Sequence, residues 1–197
     1  FLDLAQRVGA GEDDVTVWQA LAQGLSGIDD LLSDDVAAAT FRSRVGALAN
    51  PALDRIGRTP DTGDDDRTRE LRATLVRLLG RVAHDPDIVA AAPEMRDDDD
   101  PTLAAAALAV VAHHGGADEY ADVRRCWKEA TDPQQEQRHL RALAEFRDPA
   151  LTRHLLDEIL EGGVRSQDGP YVIRGALRNR AVGPMVWEFV MTRWDEL

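Results

Sequence analysis

Apolar residues along this chain recur at steps of three and four, the spacing of one face of an α-helix. Four runs follow this pattern: Trp18, Leu21, Leu25, Ile28 and Leu32; Leu71, Leu75, Leu78, Leu79 and Val82; Leu151, Leu155, Leu156, Ile159 and Leu160; Trp187, Val190, Met191 and Trp194. Two short β-branched pieces, residues 15–17 and 171–173, lack partner runs joined by hairpin turns. The pattern therefore predicts an all-α fold in which each run forms one apolar stripe.

Asp-Pro pairs mark where several of these helices begin. Asp accepts a free backbone N–H at the N-cap, and Pro has a helical φ with no N–H to satisfy. The pairs are Asp85-Pro86, Asp100-Pro101, Asp132-Pro133 and Asp148-Pro149, which lie 15, 32 and 16 residues apart, with Gly115-Gly116 dividing the longest interval. One helix about every 16 residues gives a repeat of about 32, within the range of helical repeat proteins. We therefore predict an α-solenoid of antiparallel helix pairs.

Other stretches fit a single array of this kind. Residues 103–112 are apolar nearly all round, which predicts a helix covered on several sides. The Asp-rich residues 61–66 and 97–100 are interpreted as solvated loops that lead into helix N-termini. Residues 53–57 are expected to continue or kink the helix before them. We predict one helical-repeat domain over residues 1–197.

Composition and charge narrow the range of partners. The chain has 197 residues, of which 44% are hydrophobic, so it can bury a sizeable core. Its formal net charge of −13 repels phosphate backbones and anionic membrane surfaces, and we expect neither nucleic acid nor a membrane as a partner. No stretch has the ~18 uncharged apolar residues that a membrane span requires.

The ends of the chain and its lone cysteine add context. The chain begins without Met in an apolar pattern and ends on Trp194-Asp195-Glu196-Leu197 in what reads as helix, so we expect a fragment truncated at both ends. Cys126 is the only cysteine, which is compatible with a reducing compartment, and we expect a cytoplasmic location. Lys128 is the only lysine.

The sequence contains no recognisable catalytic motif. Many zinc peptidases bind the metal through His-Glu-x-x-His, a motif that places two imidazoles one helical turn apart. The chain has no such motif. His113 and His114 are adjacent and point about 100° apart on a helix, while His84, His139 and His154 fall in separate predicted helices. EF-hand and glycine-rich nucleotide loops are also absent. We therefore expect no catalytic residue, metal ligand or cofactor in this segment.

Residues 162–171 link two helical patterns and contain the candidate binding residues. In the structural interpretation, a glycine pair ends one helix, Ser166 caps the next and Asp168 lies in its first turn. In the functional interpretation, Arg165 and Gln167 present donors to a peptide carbonyl or carboxylate. A salt bridge from Arg165 to an acidic residue on a neighbouring helix is the structural alternative for this residue.

Three stretches of the sequence carry a family resemblance. They are Val17-Trp18 with Leu21; Leu140-Arg141-Ala142-Leu143 with Phe146-Arg147-Asp148-Pro149-Ala150-Leu151; and Val164-Arg165-Ser166-Gln167-Asp168 with Trp187-Glu188-Phe189-Val190 and Trp194-Asp195-Glu196-Leu197. In order and spacing they resemble the C-terminal helical (ERAP1-like) domain of M1 zinc aminopeptidases of the aminopeptidase N type. The likeness spans nearly the whole chain, and its motifs mark helix caps and packing positions.

The resemblance implies a right-handed superhelix of HEAT- or armadillo-like helix pairs. Such a domain covers the thermolysin-like catalytic domain of the same chain and encloses the cavity that receives peptide substrates. Zinc is expected in that catalytic domain, where it activates water for attack on the first peptide bond. The hydrolase activity therefore belongs to the parent chain, this segment limits which peptides enter, and no catalytic residue carries over to it.

A free-standing helical-repeat scaffold that binds proteins along its concave face fits the same periodicity and composition. The residues immediately before Phe1 would discriminate between the two readings. A zinc motif there would favour the aminopeptidase, and a natural start codon would favour the scaffold.

Overall fold

Helices make up every regular element of the protein. The computed structural model describes all of the chain, Phe1–Leu197, and contains eleven α-helices, a π-helical turn (Leu79–Ala83) and a 3₁₀ turn (Trp194–Glu196). The α-helices are α1 (Leu2–Gly9), α2 (Val15–Asp29), α3 (Asp35–Ile56), α4 (Asp66–Leu78), α5 (Pro86–Met95), α6 (Pro101–His114), α7 (Ala117–Glu129), α8 (Pro133–Leu143), α9 (Pro149–Leu160), α10 (Gly169–Arg178) and α11 (Gly183–Thr192). The structure contains no strand, which confirms the predicted all-α class.

Aspartate side chains cap the start of seven helices. Those of Asp14, Asp34, Asp65, Asp85, Asp100, Asp132 and Asp148 accept first-turn N–H groups of α2, α3, α4, α5, α6, α8 and α9. All four predicted Asp-Pro starts are confirmed, and α5 to α9 begin at residues 86, 101, 117, 133 and 149, close to the predicted spacing. Because a carboxylate at an N-terminus also meets the positive end of the helix dipole, capping explains part of the chain's acidity.

The helices form two compact units, Phe1–Val110 and Val111–Leu197. In the first unit α2 packs on α4, α3 packs on α4 and on the π-helical turn, and α1 packs on α3. Its largest fully buried apolar side chains include Trp18, Leu25, Leu53, Leu75 and Leu79. The predicted stripes of α2 and α4 therefore supply the centre of this core.

In the second unit α7 packs on α8, and α10 packs on α8, α9 and α11. The largest fully buried side chains here include Leu140, Leu143, Phe146 and Leu155. The ring of Tyr120 meets Phe146 edge-on, with the ring centroids 5.2 Å apart. Val164, in the loop that contains Arg165, is buried as well.

Two predictions about individual helices are confirmed. Among residues 103–112 of α6, only Ala105 is partly exposed, as expected for a helix that is apolar all round. Helix α3 continues through Pro51 and ends at Ile56, so residues 53–56 extend it.

No helix combines the length and hydrophobicity needed to cross a membrane.

A buried arginine caps the end of α3. Arg72 lies on α4 and is fully buried; its Nε donates to the Gly57 carbonyl and its Nη2 to the Ile56 carbonyl, both at 2.9 Å. Its Nη1 lies 2.7 Å from Asp64 Oδ2, in an ion pair that lacks the alignment of a hydrogen bond. The contact with Arg72, reinforced by the Asp61 N–H, keeps the pKa of Asp64 below its usual range. Arg72 thus satisfies carbonyls that the last turn of a helix leaves without a partner.

The stripe predicted on the last helix differs from the others because only part of it faces the core. Of its members Val190 is buried, whereas Trp187, Met191 and Trp194 are 58%, 58% and 70% exposed. The core is instead contacted by the face that carries Val186, Phe189 and Val190. Helix α11 has a single charged residue, Glu188, so its sequence is apolar on both sides and the periodicity does not choose between them.

Candidate functional site

The loop of residues 161–168, between α9 and α10, contains both candidate binding residues. It begins with a Schellman motif: the Gly163 N–H donates to the Glu158 carbonyl at 2.9 Å and the Gly162 N–H to the Ile159 carbonyl at 3.1 Å. Gly162 has φ +77°, a left-handed conformation that favours glycine. The predicted role of the glycine pair as a helix stop is confirmed.

A buried carboxylate stands beneath the start of this loop. Glu158 accepts from Arg124 Nε at 3.1 Å and Nη2 at 2.9 Å, and its Oε1 lies 2.7 Å from Lys128 Nζ. A Cβ atom on Gly163 would come within 2.7 Å of Glu158 Cγ, so only glycine fits here without displacing that side chain. The loop can therefore approach the carboxylate closely, and Lys128 Nζ donates to the Gly163 carbonyl at 3.1 Å.

The environment of Glu158 favours its charged form. Burial opposes ionisation, but the hydrogen bonds from Arg124 and Lys128 outweigh it and hold the pKa of Glu158 below its usual range. Burial, together with the charge of Glu158, raises the pKa of the nearby Tyr120 phenol. The cluster consequently remains one carboxylate with two cationic partners, beside a neutral phenol, at neutral pH.

Arg165 is held at the surface by its backbone and by one acidic partner. Its Nη2 donates to Glu136 Oε2 on α8 at 2.9 Å, and its side chain is 60% exposed. Its carbonyl accepts the N–H groups of Asp168 at 2.8 Å and Gly169 at 3.1 Å. The acidic neighbour expected in the structural interpretation is therefore present. The Glu136 side chain is 20% exposed, so a ligand carboxylate would compete with a half-buried partner for the guanidinium.

Gln167 is exposed two residues further on, and no side-chain hydrogen bond holds its amide. Together, Arg165 and Gln167 place a guanidinium and an amide on one exposed turn. This combination offers donors to carboxylates or carbonyls and an acceptor to N–H groups. Their role in binding peptide stays a prediction.

The expected capping of α10 is wrong. The helix begins at Gly169, and the preceding Asp168 makes no side-chain cap, so Ser166 lies three residues before the helix and Asp168 lies outside its first turn. The reason is the turn closed on the Arg165 carbonyl, which keeps Asp168 out of the extended conformation that an N-cap residue adopts. The Asp168 carboxylate is instead buried.

A buried amide, Asn179, anchors the same unit. Asn179 follows α10, and its Nδ2 donates to the carbonyls of Ala144, Glu145 and Phe146 at 3.3, 3.1 and 2.8 Å. Its Oδ1 accepts the Ala181 N–H at 3.2 Å. Asn179 thus caps the end of α8, the helix that also presents Glu136 to Arg165.

Sequence reasoning did not identify Asn179 or the Glu158 cluster, although one signal was available. Arg124 and Glu158 are 34 residues apart, Lys128 and Gly163 are 35 apart, and Asn179 is 33 residues from Phe146. These separations are close to the predicted period of a helix pair. In a chain with this period, polar residues 33 to 35 positions apart are therefore candidate hydrogen-bond partners.

Four of the five histidines lie on helices. His139 Nδ1 contacts the Gln135 carbonyl at 2.8 Å, and His154 lies edge-on to Tyr120. His113 and His114 form the last turn of α6, as predicted for histidines at a helix end. His84 differs from the prediction because it follows the π-helical turn in a left-handed conformation and lies outside a helix. The absence of metal ligands stays a prediction.

The fold is that of an all-helical protein in which aspartate side chains cap most of the helix starts. The chain belongs to the ERAP1-like C-terminal domain family, whose model matches residues 1–197. The family name implies a parent M1 aminopeptidase, a hydrolase, and a catalytic domain of the same chain against which this domain packs. No match was found among the curated proteins compared with the chain.

Proposed function

We propose that residues 1–197 are one helical-repeat domain that caps the catalytic domain of an M1 zinc aminopeptidase and limits which peptides enter it. The observation that carries this proposal is the family match over the whole segment. In the proposal, zinc and the catalytic residues belong to the catalytic domain, and this domain contributes no catalytic residue, metal ligand or cofactor. The lone thiol of Cys126 suits the cytoplasmic location that we propose for the parent enzyme.

Regular spacing supports a right-handed solenoid of HEAT- or armadillo-like pairs as the form of this cap. Helices α6 to α9 begin 16 residues apart. Within the first unit Asn50 Nδ2 donates to Asp85 Oδ2 across 35 residues, and within the second the links from Arg124, Lys128 and Asn179 cross 33 to 35. Repeated polar links one helix pair apart are what nearest-neighbour stacking of repeats requires.

The exposed face of α11 supports packing against another domain. Trp187 and Met191 lie one turn apart on α11, Trp194 follows in the 3₁₀ turn, and each exposes more than half of its surface. Single exposed apolar residues are ordinary, but a contiguous group with two tryptophans is typical of a covered surface. We propose that the catalytic domain covers this face in the parent enzyme.

Substituting Trp187 with Ser in the parent enzyme is expected to loosen the contact between the two domains, since a tryptophan at the centre of an interface carries much of its energy. Limited proteolysis should then release the helical domain several-fold faster. Leu31→Ser, at another exposed apolar residue, is the matched control and should leave the rate unchanged. An unchanged rate for Trp187→Ser would show that the catalytic domain does not cover this face.

We propose that Arg165 and Gln167 line the inner surface of the cap and hold the distal part of a peptide substrate. Arg165→Ala in the parent enzyme is expected to lower kcat/KM for longer peptides by about fivefold to tenfold, the scale of one charge-assisted hydrogen bond. The loss for a single-residue chromogenic substrate should be smaller, because that substrate does not reach Arg165.

Arg125→Ala is the matched control, since Arg125 is 57% exposed and pairs only with Asp122 and Glu129 of its own helix. Arg125→Ala should leave kcat/KM unchanged for both the longer peptide and the single-residue substrate. Equal losses on long and short substrates for Arg165→Ala, or a lower melting temperature with normal kinetics, would assign Arg165 to the Glu136 salt bridge alone.

A further inference from the structure

We propose that Lys128 is a positioning residue: by holding the Gly163 carbonyl, it fixes where Arg165 stands in the loop. This inference rests on the peptide-binding role proposed for Arg165. It assigns a task to the only lysine of the chain, which lies on α7 and does not itself reach the exposed turn.

Three contacts fix the ammonium group of Lys128. Its Nζ lies 2.7 Å from Glu158 Oε1, 3.1 Å from the Gly163 carbonyl oxygen and 3.7 Å from the centroid of the Trp127 ring. Glu158 and Trp127 are both buried, so two of the three contacts belong to the rigid part of the unit. The third contact is with the loop, so the lysine connects the Gly163 carbonyl to the rigid part of the unit.

Only Val164 separates this anchor from Arg165, and both sides of Arg165 are constrained. Val164 is buried and fixes the chain just before it. On the other side, the Arg165 carbonyl accepts two N–H groups at the start of α10. Without Lys128, the Gly163 N–H still donates to the Glu158 carbonyl and Val164 stays buried, but the Gly163 carbonyl, which belongs to the peptide group just before Val164, loses the lysine donor and can reorient.

A lysine suits this place better than an arginine. An ammonium group is a compact charge with three donors that can point in separate directions, so it can serve a carboxylate and a carbonyl while lying over a ring face. A planar guanidinium directs its donors in one fixed fork. Arg124 already uses such a fork on the same carboxylate, with both of its bonds going to Glu158.

The contribution of Lys128 is expected to concern position more than global stability. Its side chain is 38% exposed, so solvent screens the ion pair, and Glu158 keeps the two bonds from Arg124 when Lys128 is removed. Loss of Lys128 should therefore leave the unit folded with a less ordered loop.

A double-mutant cycle in the parent enzyme tests the inference. Lys128→Met, Arg165→Ala and the double variant are compared by KM for a longer peptide and for a single-residue substrate. We expect Lys128→Met to raise KM for the longer peptide by roughly threefold to tenfold, with a smaller effect on the short substrate. In the Arg165→Ala background it should add almost nothing, because a residue that acts through Arg165 has no effect once Arg165 is gone.

Three outcomes of this cycle would contradict the inference. If Arg165→Ala raises KM for the longer peptide and Lys128→Met does not, or if the two effects add, Lys128 does not act through Arg165. If Arg165→Ala itself spares the longer peptide, the proposed binding role fails and the inference fails with it. Arg125→Met, which removes an exposed charge from the same helix, controls for the loss of charge and should change neither KM.

A second variant and a second measurement keep the test decisive if Lys128→Met does not fold. Lys128→Ala also removes the donor to the Gly163 carbonyl, keeps a good helix former in α7, and enters the same cycle. Hydrogen exchange at the amides of Asp168 and Gly169, which donate to the Arg165 carbonyl, should become several-fold faster in the Lys128 variant than in Arg125→Met. Equal exchange in both variants would overturn the inference.

Discussion

Arg72→Met is expected to lower the free energy of unfolding by about 3 kcal/mol, because it leaves buried acceptors without a donor. Methionine fills much of the same volume, so the loss reports on hydrogen bonds and charge more than on a cavity. The carbonyls of Ile56 and Gly57 each lose the donor that lies at 2.9 Å. Urea unfolding followed by circular dichroism measures the change.

Arg69→Met is the control, since Arg69 is exposed on the same helix, and its unfolding midpoint should match the wild type. The pH dependence separates the two parts of the effect. The lowered pKa of Asp64 means that its pairing with Arg72 stabilises the fold above the ordinary carboxyl range, and that this part disappears as the pH falls through the lowered value. The difference between Arg72→Met and wild type should therefore shrink below about pH 4. A midpoint equal to that of Arg69→Met at neutral pH would contradict the prediction.

Local rules predicted the helices well because their signals lie within a few residues of each other. An Asp side chain that caps a helix interacts with N–H groups two or three positions ahead, as Asp132 and Asp148 do, so sequence alone locates the start. The glycine pair at 162–163 stops α9 for an equally local reason. The prediction for the start of α10 is wrong because two local motifs compete there. The sequence permits a cap by Ser166, but the turn closed on the Arg165 carbonyl forms instead.

Side chains that act between helices could not be located in this way. Arg72 is one of many arginines, and nothing in its neighbourhood along the sequence marks it as buried rather than exposed. The ionic partner of Arg165 was expected to be an acidic residue on a neighbouring helix, but which one it is depends on how α8 packs beneath the loop. Glu136 is 29 residues away in the sequence, beyond the reach of any local pattern.

The exposed tryptophans on and just after α11 show a different limit. Periodicity detects that apolar residues share a face, and it assigns that face to the core of the same chain. Trp187 and Trp194 satisfy the pattern and are nevertheless exposed, while Phe189 is buried. If the catalytic domain covers this face, as we propose, its composition resembles that of a core, and a single sequence does not distinguish the two.

Asn179→Asp is expected to destabilise the fold by about 3–5 kcal/mol, although it replaces one amide nitrogen with an oxygen of nearly the same size. The Asn179 amide nitrogen donates to three carbonyls at the end of α8. A carboxylate at this place donates nothing, and it sets a buried negative charge against three carbonyl oxygens. The effect should reach the candidate site, since α8 contributes the Glu136 partner of Arg165.

Gln134→Glu is the matched control because it makes the same amide-to-acid change at an exposed residue in the first turn of α8, where the helix dipole favours an acid. Urea unfolding should show a large loss for Asn179→Asp and no loss for Gln134→Glu. Asn179→Ala, which removes the donor without adding charge, should lie between them.

The pH dependence of Asn179→Asp separates the two costs. If most of the stability returns as the pH falls and the new carboxyl gains a proton, the buried charge is the larger cost. If the loss persists in acid, the three lost hydrogen bonds are the larger cost. Wild-type stability of Asn179→Asp at neutral pH would contradict the role of Asn179 as the cap of α8.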